Sequence, residues 1–334
     1  MKRLLAGGLL LVLAACGQAA PPTAPAEQAA APITVRNCGR TLTFDKPPSK
    51  VVTGYQPALE TLLALGLQDK IAARTAFEEN GPDGFLPGQK AAYDAIPQIS
   101  DTIMLPQKEV MLAQGADFVI DNGQSSFDAA GGYATVDELQ AAGAPVFILG
   151  NWCSPEETLK FTIEQTFTDL RDLGIIFGVQ DRAEKLITDL RAALADVEKR
   201  VSGLPKVRIL ATDGGTGPVT AYGGAGLMNQ MITLAGGENV LADTKADYSE
   251  FSVEQVAASN PDALLVLDYV VYDGKAVATA DKKAADVLGV VKNSPAAKEK
   301  RTMPVPAAAA HPGYRNILAI VEIAKFLHPD AFTR

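Results

Sequence analysis

The residues of this chain best able to bind a metal or attack a carbonyl are three cysteines and two histidines. Cys16, Cys38 and Cys153 are scattered, as are His311 and His328. A zinc site needs about four ligands, usually paired at short spacing, and this set does not supply one. No metal centre and no resident cofactor is expected. Nucleophilic catalysis needs a nucleophile, a base and an orienting acid. There is no Gly-x-Ser-x-Gly elbow, His328 falls in the C-terminal tail, and His311 has no evident serine partner. These absences argue against an enzyme, the rival here being an α/β hydrolase. The glycine-rich run Thr212–Pro218 lacks Gly-x-Gly-x-x-Gly and any following Gly-Lys-Ser/Thr. Turn geometry, or close backbone approach to a bulky ligand, explains it better than phosphate cradling. What remains is recognition rather than bond-making.

The N-terminus says where recognition takes place. Met1 precedes Lys2 and Arg3, an apolar run over residues 4–13, and then Leu13-Ala14-Ala15-Cys16. A basic start, a short apolar stretch and small residues before a cut point mark a secretory signal. The run falls short of the ~20 apolar residues a membrane span needs. Its Leu-Ala-Ala-Cys ending resembles the lipobox of bacterial lipoproteins, which implies cleavage before Cys16 and acylation of its thiol and amine. The mature protein is then extracytoplasmic and tethered by lipid. Export leaves Cys38 and Cys153 in an oxidising compartment, where two remaining cysteines are expected to pair. Net charge is −9, and loss of Lys2 and Arg3 takes it to −11. A chain this acidic has no general attraction for nucleic acid or anionic lipid.

Elements must then hold a binding surface. At 334 residues and 47% hydrophobic, the chain can build two domains, each with its own core. Residues 16–32, rich in Ala and Pro, read as a disordered tether. Apolar runs at Val51–Tyr55, Ile71–Arg74, Phe118–Asp121 and Val146–Leu149 predict strands. Helices are expected at Pro57–Leu65 and Lys108–Gln114. Unbroken apolar strands alternating with helices predict a parallel sheet covered on both faces. A second series runs through Val207–Thr212, a helix at Leu227–Ala235, Val253–Ser259 and Leu264–Leu267, closing with a helix at Tyr314–Leu327. The halves echo each other: "LLALGLQDKIAA" matches "MITLAGGENVLAD", and "VMLAQGADFVI" matches "QVAASNPDALLV". Between them, Asp181–Val201 has apolar residues three or four apart and Asp181–Lys185 and Asp196–Arg200 pairs on its other face. It predicts a stiff helical strut of roughly 30 Å.

Four stretches together resemble the substrate-binding lipoproteins of bacterial ABC importers for iron–siderophore complexes and vitamin B12. They are "CGRTLTFDKPPSKVV", "ALETLLALGLQDKIA", "SVEQVAASNPDALLVL" and "HPGYRNILAIVEIAKFLHPDAF". The resemblance implies an α/β fold of two doubly wound, Rossmann-like lobes joined by one long α-helix, with the ligand cleft between them. Domain expectations are a signal peptide at 1–15, the lipidated tether at 16–32, an N-terminal lobe at 33–155, a helical connector at 156–202 and a C-terminal lobe at 203–334. The implied function is capture of an iron–siderophore complex, or alternatively of a corrinoid or haem, and delivery to an ABC permease. The protein is expected to act as a monomer.

The resemblance also places Glu60 and Glu238 on the lobe tips, where carboxylates dock into permease arginines as bidentate pairs. Ligands of open α/β sheets bind at the carboxyl ends of the strands. In the first half that selects Tyr55, Gln56, Arg74, Phe77, Ser125, Phe127 and Trp152. In the second half the loops are Asp213 to Gly217, Tyr222, Asp247 to Phe251, Tyr269 and His311 to Arg315. From these come Tyr222, Tyr248, Phe251, Tyr269, His311, Tyr314 and Arg315. Aromatic faces would supply contact area, and arginines fixed charge for an anionic edge. His311 is also a candidate iron ligand.

Overall fold

A computed structural model describes residues 31–76, 86–269, 271–272 and 275–333. The signal segment, Cys16 and Phe77 lie outside the described residues. The chain starts with an antiparallel hairpin, β1 (Ile33–Asn37) and β2 (Arg40–Phe44). Its two-residue turn, Cys38-Gly39, has φ of +54° and +71°, the left-handed pair that matches the twist of the flanking strands. Cys38 is held there by a disulfide to Cys153, with Cα atoms 5.7 Å apart. The Asn151 side-chain oxygen also accepts from the Cys38 N–H at 2.9 Å.

Four strands follow: β3 (Val51–Thr53), β4 (Ile71–Arg74), β5 (Phe118–Asp121) and β6 (Val146–Ile148). They form one parallel sheet in the order β4-β3-β5-β6. β3, β5 and β6 are buried along their whole length, as a sheet covered on both faces requires. The covering helices are α1 (Gln56–Ala64), α2 (Lys90–Ala95), α3 (Lys108–Ala113) and α4 (Val136–Ala141). A Thr135–Glu138 capping box starts α4.

Next come α5 (Pro155–Lys160), α6 (Ile163–Phe177) and α7 (Gln180–Val201). The predicted strut is therefore present, one residue longer at its start. It buries Ala183, Ile187, Leu190 and Val197. Near one end Arg182 donates to the carbonyls of Leu65 and Gly66 in the first half. Near the other, Arg200 donates to the Ala331 carbonyl at 2.9 Å. Neither Pro nor Gly interrupts it, so it has no built-in kink.

The second half contains β7 (Val207–Gly214), β8 (Val219–Tyr222), α8 (Gly226–Leu234), β9 (Gly237–Asn239), β10 (Tyr248–Phe251), α9 (Val253–Ser259) and β11 (Ala263–Asp268). It continues through β12 (Val271–Tyr272), β13 (Lys275–Ala276), α10 (Ala280–Val290), α11 (Pro295–Glu299) and β14 (Thr302–Pro306). α12 (Arg315–Leu327) and α13 (Pro329–Phe332) close the chain. The sheet runs β10-β8-β7-β11-β14, with β9 also on β7. β7, β9, β11 and β14 are mutually parallel, β8 runs antiparallel to β7, and the edge strand β10, antiparallel to β8, points the same way as β7. The second sheet is thus mixed rather than wholly parallel. The glycine-rich turn between β7 and β8 is too short for a crossover, which takes about a dozen residues, so the chain returns antiparallel.

The two sheets are separate, yet Pro32–Arg334 is one compact unit. A single apolar cluster runs from Val51 and Phe118 through Leu170 and Ile187 to Ile209 and Leu265. Among the described residues no helix is long and apolar enough to cross a membrane.

Candidate ligand-binding cleft

Between the sheets a cleft of about 480 Å³ opens at the carboxyl ends of their strands, within the ~300–1,000 Å³ usual for small-molecule sites. The first half contributes Tyr55, which follows β3, together with Ile103, Met104, Ser125 and Trp152. The second contributes Asp213 from β7, Tyr222 from β8, Asp247, Tyr248 from β10, Leu267 from β11 and Tyr269. Ala307, Ala310 and His311, on the segment after β14, form the floor.

The aromatic rings are interlocked. His311 lies edge-on to Tyr55, with centroids 4.9 Å apart, and 5.6 Å from Trp152. Its Nδ1 sits 3.0 Å from the Ala307 carbonyl, to which it donates as the neutral tautomer. Burial holds the imidazole below its ordinary pKa, so the ring is neutral at pH 7. Across the cleft Tyr222 and Tyr248 meet at 5.2 Å.

A polar knot lies beneath the tyrosines. Asp213 Oδ2 accepts the hydroxyls of Tyr248 at 2.6 Å and Tyr269 at 2.8 Å. Asp213 Oδ1 accepts from Lys283 Nζ at 2.7 Å. That ammonium also donates to the Leu267 carbonyl and lies 3.6 Å from the Tyr269 ring centre. Both partners are nearly buried, at 6% and 11% side-chain exposure, so the pair must be well hydrogen-bonded to persist. Asp247 stands nearby, and among the described residues it has no ion-pair partner and its buried Oδ1 no hydrogen-bond partner. Desolvation pushes its pKa up to about 7.

Of the residues selected from sequence, the cleft unites Tyr55, Ser125, Trp152, Tyr222, Tyr248, Tyr269 and His311. Phe127 instead lines an adjoining hollow with Ser125 and Trp152. The others are placed elsewhere. Gln56 is buried and donates to Glu60 at 2.7 Å. Arg74 stacks 3.6 Å over the Tyr93 ring and donates to the Tyr93 and Thr75 carbonyls and to Gln98. Phe251 belongs to the core of the second half. Tyr314 is buried and accepts from Gln89 at 2.8 Å.

The glutamate expectation is corrected at one position. Glu60 is no exposed tip carboxylate: it is 2% exposed and clasped by Arg315, whose Nε reaches Oε2 at 2.7 Å while Nη2 contacts Oε1. The same contact withdraws Arg315 from the cleft. Burial of the helix faces carrying both residues forces them together, because neither charge survives alone in the core. Glu238, by contrast, is exposed in the middle of β9.

Residues missed by the sequence reading are Ile103, Met104, Leu267, Ala307, Ala310 and Lys283. Asp213 and Asp247 fall in the selected loops but had no local mark to single them out. Lys283 lies 70 residues from Asp213, and nothing in sequence links them.

Comparison with known proteins places this geometry. Residues 51–308 match the family described as periplasmic binding protein. A Bacillus subtilis (strain 168) protein called an ABC transporter substrate-binding lipoprotein, YvrC, is 23% identical over 330 residues, covering 96% of this chain and 95% of the relative. The vitamin B12-binding protein of Salmonella typhi is 31% identical over 105 residues, only 31% of this chain and 39% of that protein. Among solved structures, a periplasmic binding protein from Veillonella parvula superposes with TM-score 0.75 at 26% identity, covering 89% of this chain and 98% of that one. An ABC-type Fe3+-hydroxamate transport system protein from Saccharomonospora viridis gives 0.72 at 25%, covering 91% and 100%. Both the matched span and the cleft between two sheets lead to one conclusion: this chain belongs to the periplasmic binding protein family, whose members bind substrates for transport and are not enzymes.

Proposed function

We propose that the protein captures an iron–siderophore complex outside the cytoplasm and delivers it to the permease of an ABC importer. The observation that carries this is the aromatic cleft of about 480 Å³ between the two sheets. Its rings offer the flat apolar area that a bulky organic chelate needs. Similarity to the Fe3+-hydroxamate protein over nine-tenths of the chain supports iron–hydroxamate as the ligand. Ligand contacts are assigned to Tyr55, Trp152, Tyr222, Tyr248, Tyr269 and His311, with Ser125 as a polar contact. Glu238 is the proposed docking carboxylate, and Cys16 the proposed lipid anchor of a monomeric protein.

A second reading is capture of a corrinoid, favoured by the 31% identity to a vitamin B12-binding protein over 105 residues. Thermal-shift titrations with a ferric hydroxamate, ferric citrate, haem and cyanocobalamin separate the two. Stabilisation by the hydroxamate alone supports the first reading, and by cyanocobalamin alone the second. No stabilisation by any of them would overturn both.

A further inference from the structure

From the charges and hydrogen-bonding groups of the cleft, we infer that it accepts chelates that are uncharged or cationic and turns away anionic ones. This rests on the reading that the cleft is the chelate site.

No lysine or arginine lines the cleft among the described residues, and residues 77–85 and 270–274 contain neither type. Arg74 and Arg315, which would answer an anionic edge, are engaged by Tyr93 and Glu60. Lys283, paired with the lining residue Asp213, is spent on its carboxylate and on the Leu267 carbonyl. The pair is neutral as a unit.

The hydrogen-bonding sense points the same way. Tyr248 and Tyr269 both direct their hydroxyl protons into Asp213 Oδ2, so neither hydroxyl donates to an anion in the cleft. Neutral His311 uses Nδ1–H on the Ala307 carbonyl, leaving Nε2 as an acceptor. Asp247 adds a further acidic side chain to the lining. The remaining donors of the cleft, such as the Ser125 hydroxyl, are neutral, so an anionic ligand is desolvated there with no cation to offset its charge. A ligand bearing amide N–H groups or an ammonium finds partners, and its cation gains from the ring faces as well.

The test uses charge-matched probes and the fluorescence of Trp152, the single tryptophan of the chain, which lines the cleft. Ferrioxamine B, its N-acetyl derivative and its N-succinyl derivative share one iron centre and carry one positive, no and one negative charge. Quenching titrations should give the anion at least about tenfold weaker than the other two, the scale of one partly buried charge contact. Asp213→Asn, which uncovers Lys283, should narrow that gap by strengthening the anion. Lys283→Met, which leaves the Asp213 charge uncompensated, should widen it. Circular dichroism establishes that each variant is folded, and Asp247→Asn, which lowers the preference for the cation alone, serves if Asp213→Asn does not fold. If only corrinoids bind, hydroxocobalamin below pH 7, cyanocobalamin and a cyanocobalamin monocarboxylate supply the same charge series. An anion bound as tightly as its neutral partner, or haem bound tightly through its two propionates, overturns this inference while the transport reading stands. Binding of no member of either series overturns both.

Discussion

Glu60 and Arg315, 255 residues apart, form a buried bidentate ion pair that ties α1 of the first half to α12 of the second. Gln56 and Gln89 frame it: Gln56 donates to Glu60 Oε1, and Gln89 donates to the Glu60 carbonyl and to the Tyr314 hydroxyl. Removing one partner strands a charge in the core. Glu60→Ala should therefore cost about 3–5 kcal/mol of stability, whereas the Glu60→Met/Arg315→Met double variant should lose much less. Urea unfolding of the three proteins checks this. An unchanged midpoint for Glu60→Ala would show that the pair is not buried in solution.

The disulfide joins the hairpin turn to the end of the first parallel sheet across 115 residues. Closing a loop of this length is worth about 4–5 kcal/mol in the chain-entropy model. Cys38→Ser/Cys153→Ser should lower the unfolding free energy by an amount of that order. Reductant should weaken the native protein and leave the double variant unaffected. Equal stability with and without reductant in the native protein would contradict it.

Asp169 predicts a pH dependence. It is buried on α6, accepts from the Gly150 N–H at 2.6 Å and from Gln165 at 2.9 Å, and Asp172 is its nearest like charge. Desolvation raises it from 3.8 to about 7. Because the folded value lies above the unfolded one, the folded state keeps a proton that the unfolded chain has already released. Its stabilising contribution is complete below about pH 4 and is lost as pH rises toward 7. Asp121 and Asp172, each raised to about 6, and Asp247, raised to about 7, act in the same sense. Asp169→Asn should flatten part of the decline between about pH 4 and 7, measured by urea unfolding at several pH values. An identical slope in native protein and variant would rule Asp169 out as a contributor.

Glu238 is exposed on β9, between the buried Gly237 and Asn239. Glu238→Ala should change stability by no more than about 0.5 kcal/mol and leave ligand affinity intact, while reducing uptake in cells carrying the cognate permease. Normal uptake would remove Glu238 from the docking surface.

Much of this architecture is written locally. The buried strands Ile71–Arg74 and Phe118–Asp121 coincide with their predicted spans, because a strand covered on both faces must be apolar at nearly every position. The long helix is legible from its three-to-four spacing, since one stripe alone meets the core. The aromatic lining of the cleft is legible in part, because a cleft opens where strands end, although Phe251 and Tyr314, selected by the same rule, turn into the interior.

Charge placement was decided by the tertiary structure. A glutamate on a helix reads the same whether its face meets water or another helix, and only the approach of α12 sinks Glu60 and couples it to Arg315. Arg74 likewise sits at a strand end where a ligand contact is expected, but it stacks on the Tyr93 ring instead. Lys283 carries no local sign of its union with Asp213. Apolar burial is a property of short segments and survives translation from sequence. The pairing of buried charges depends on distant chain segments arriving at one point, and it is this pairing that leaves the cleft without an exposed cation among the described residues.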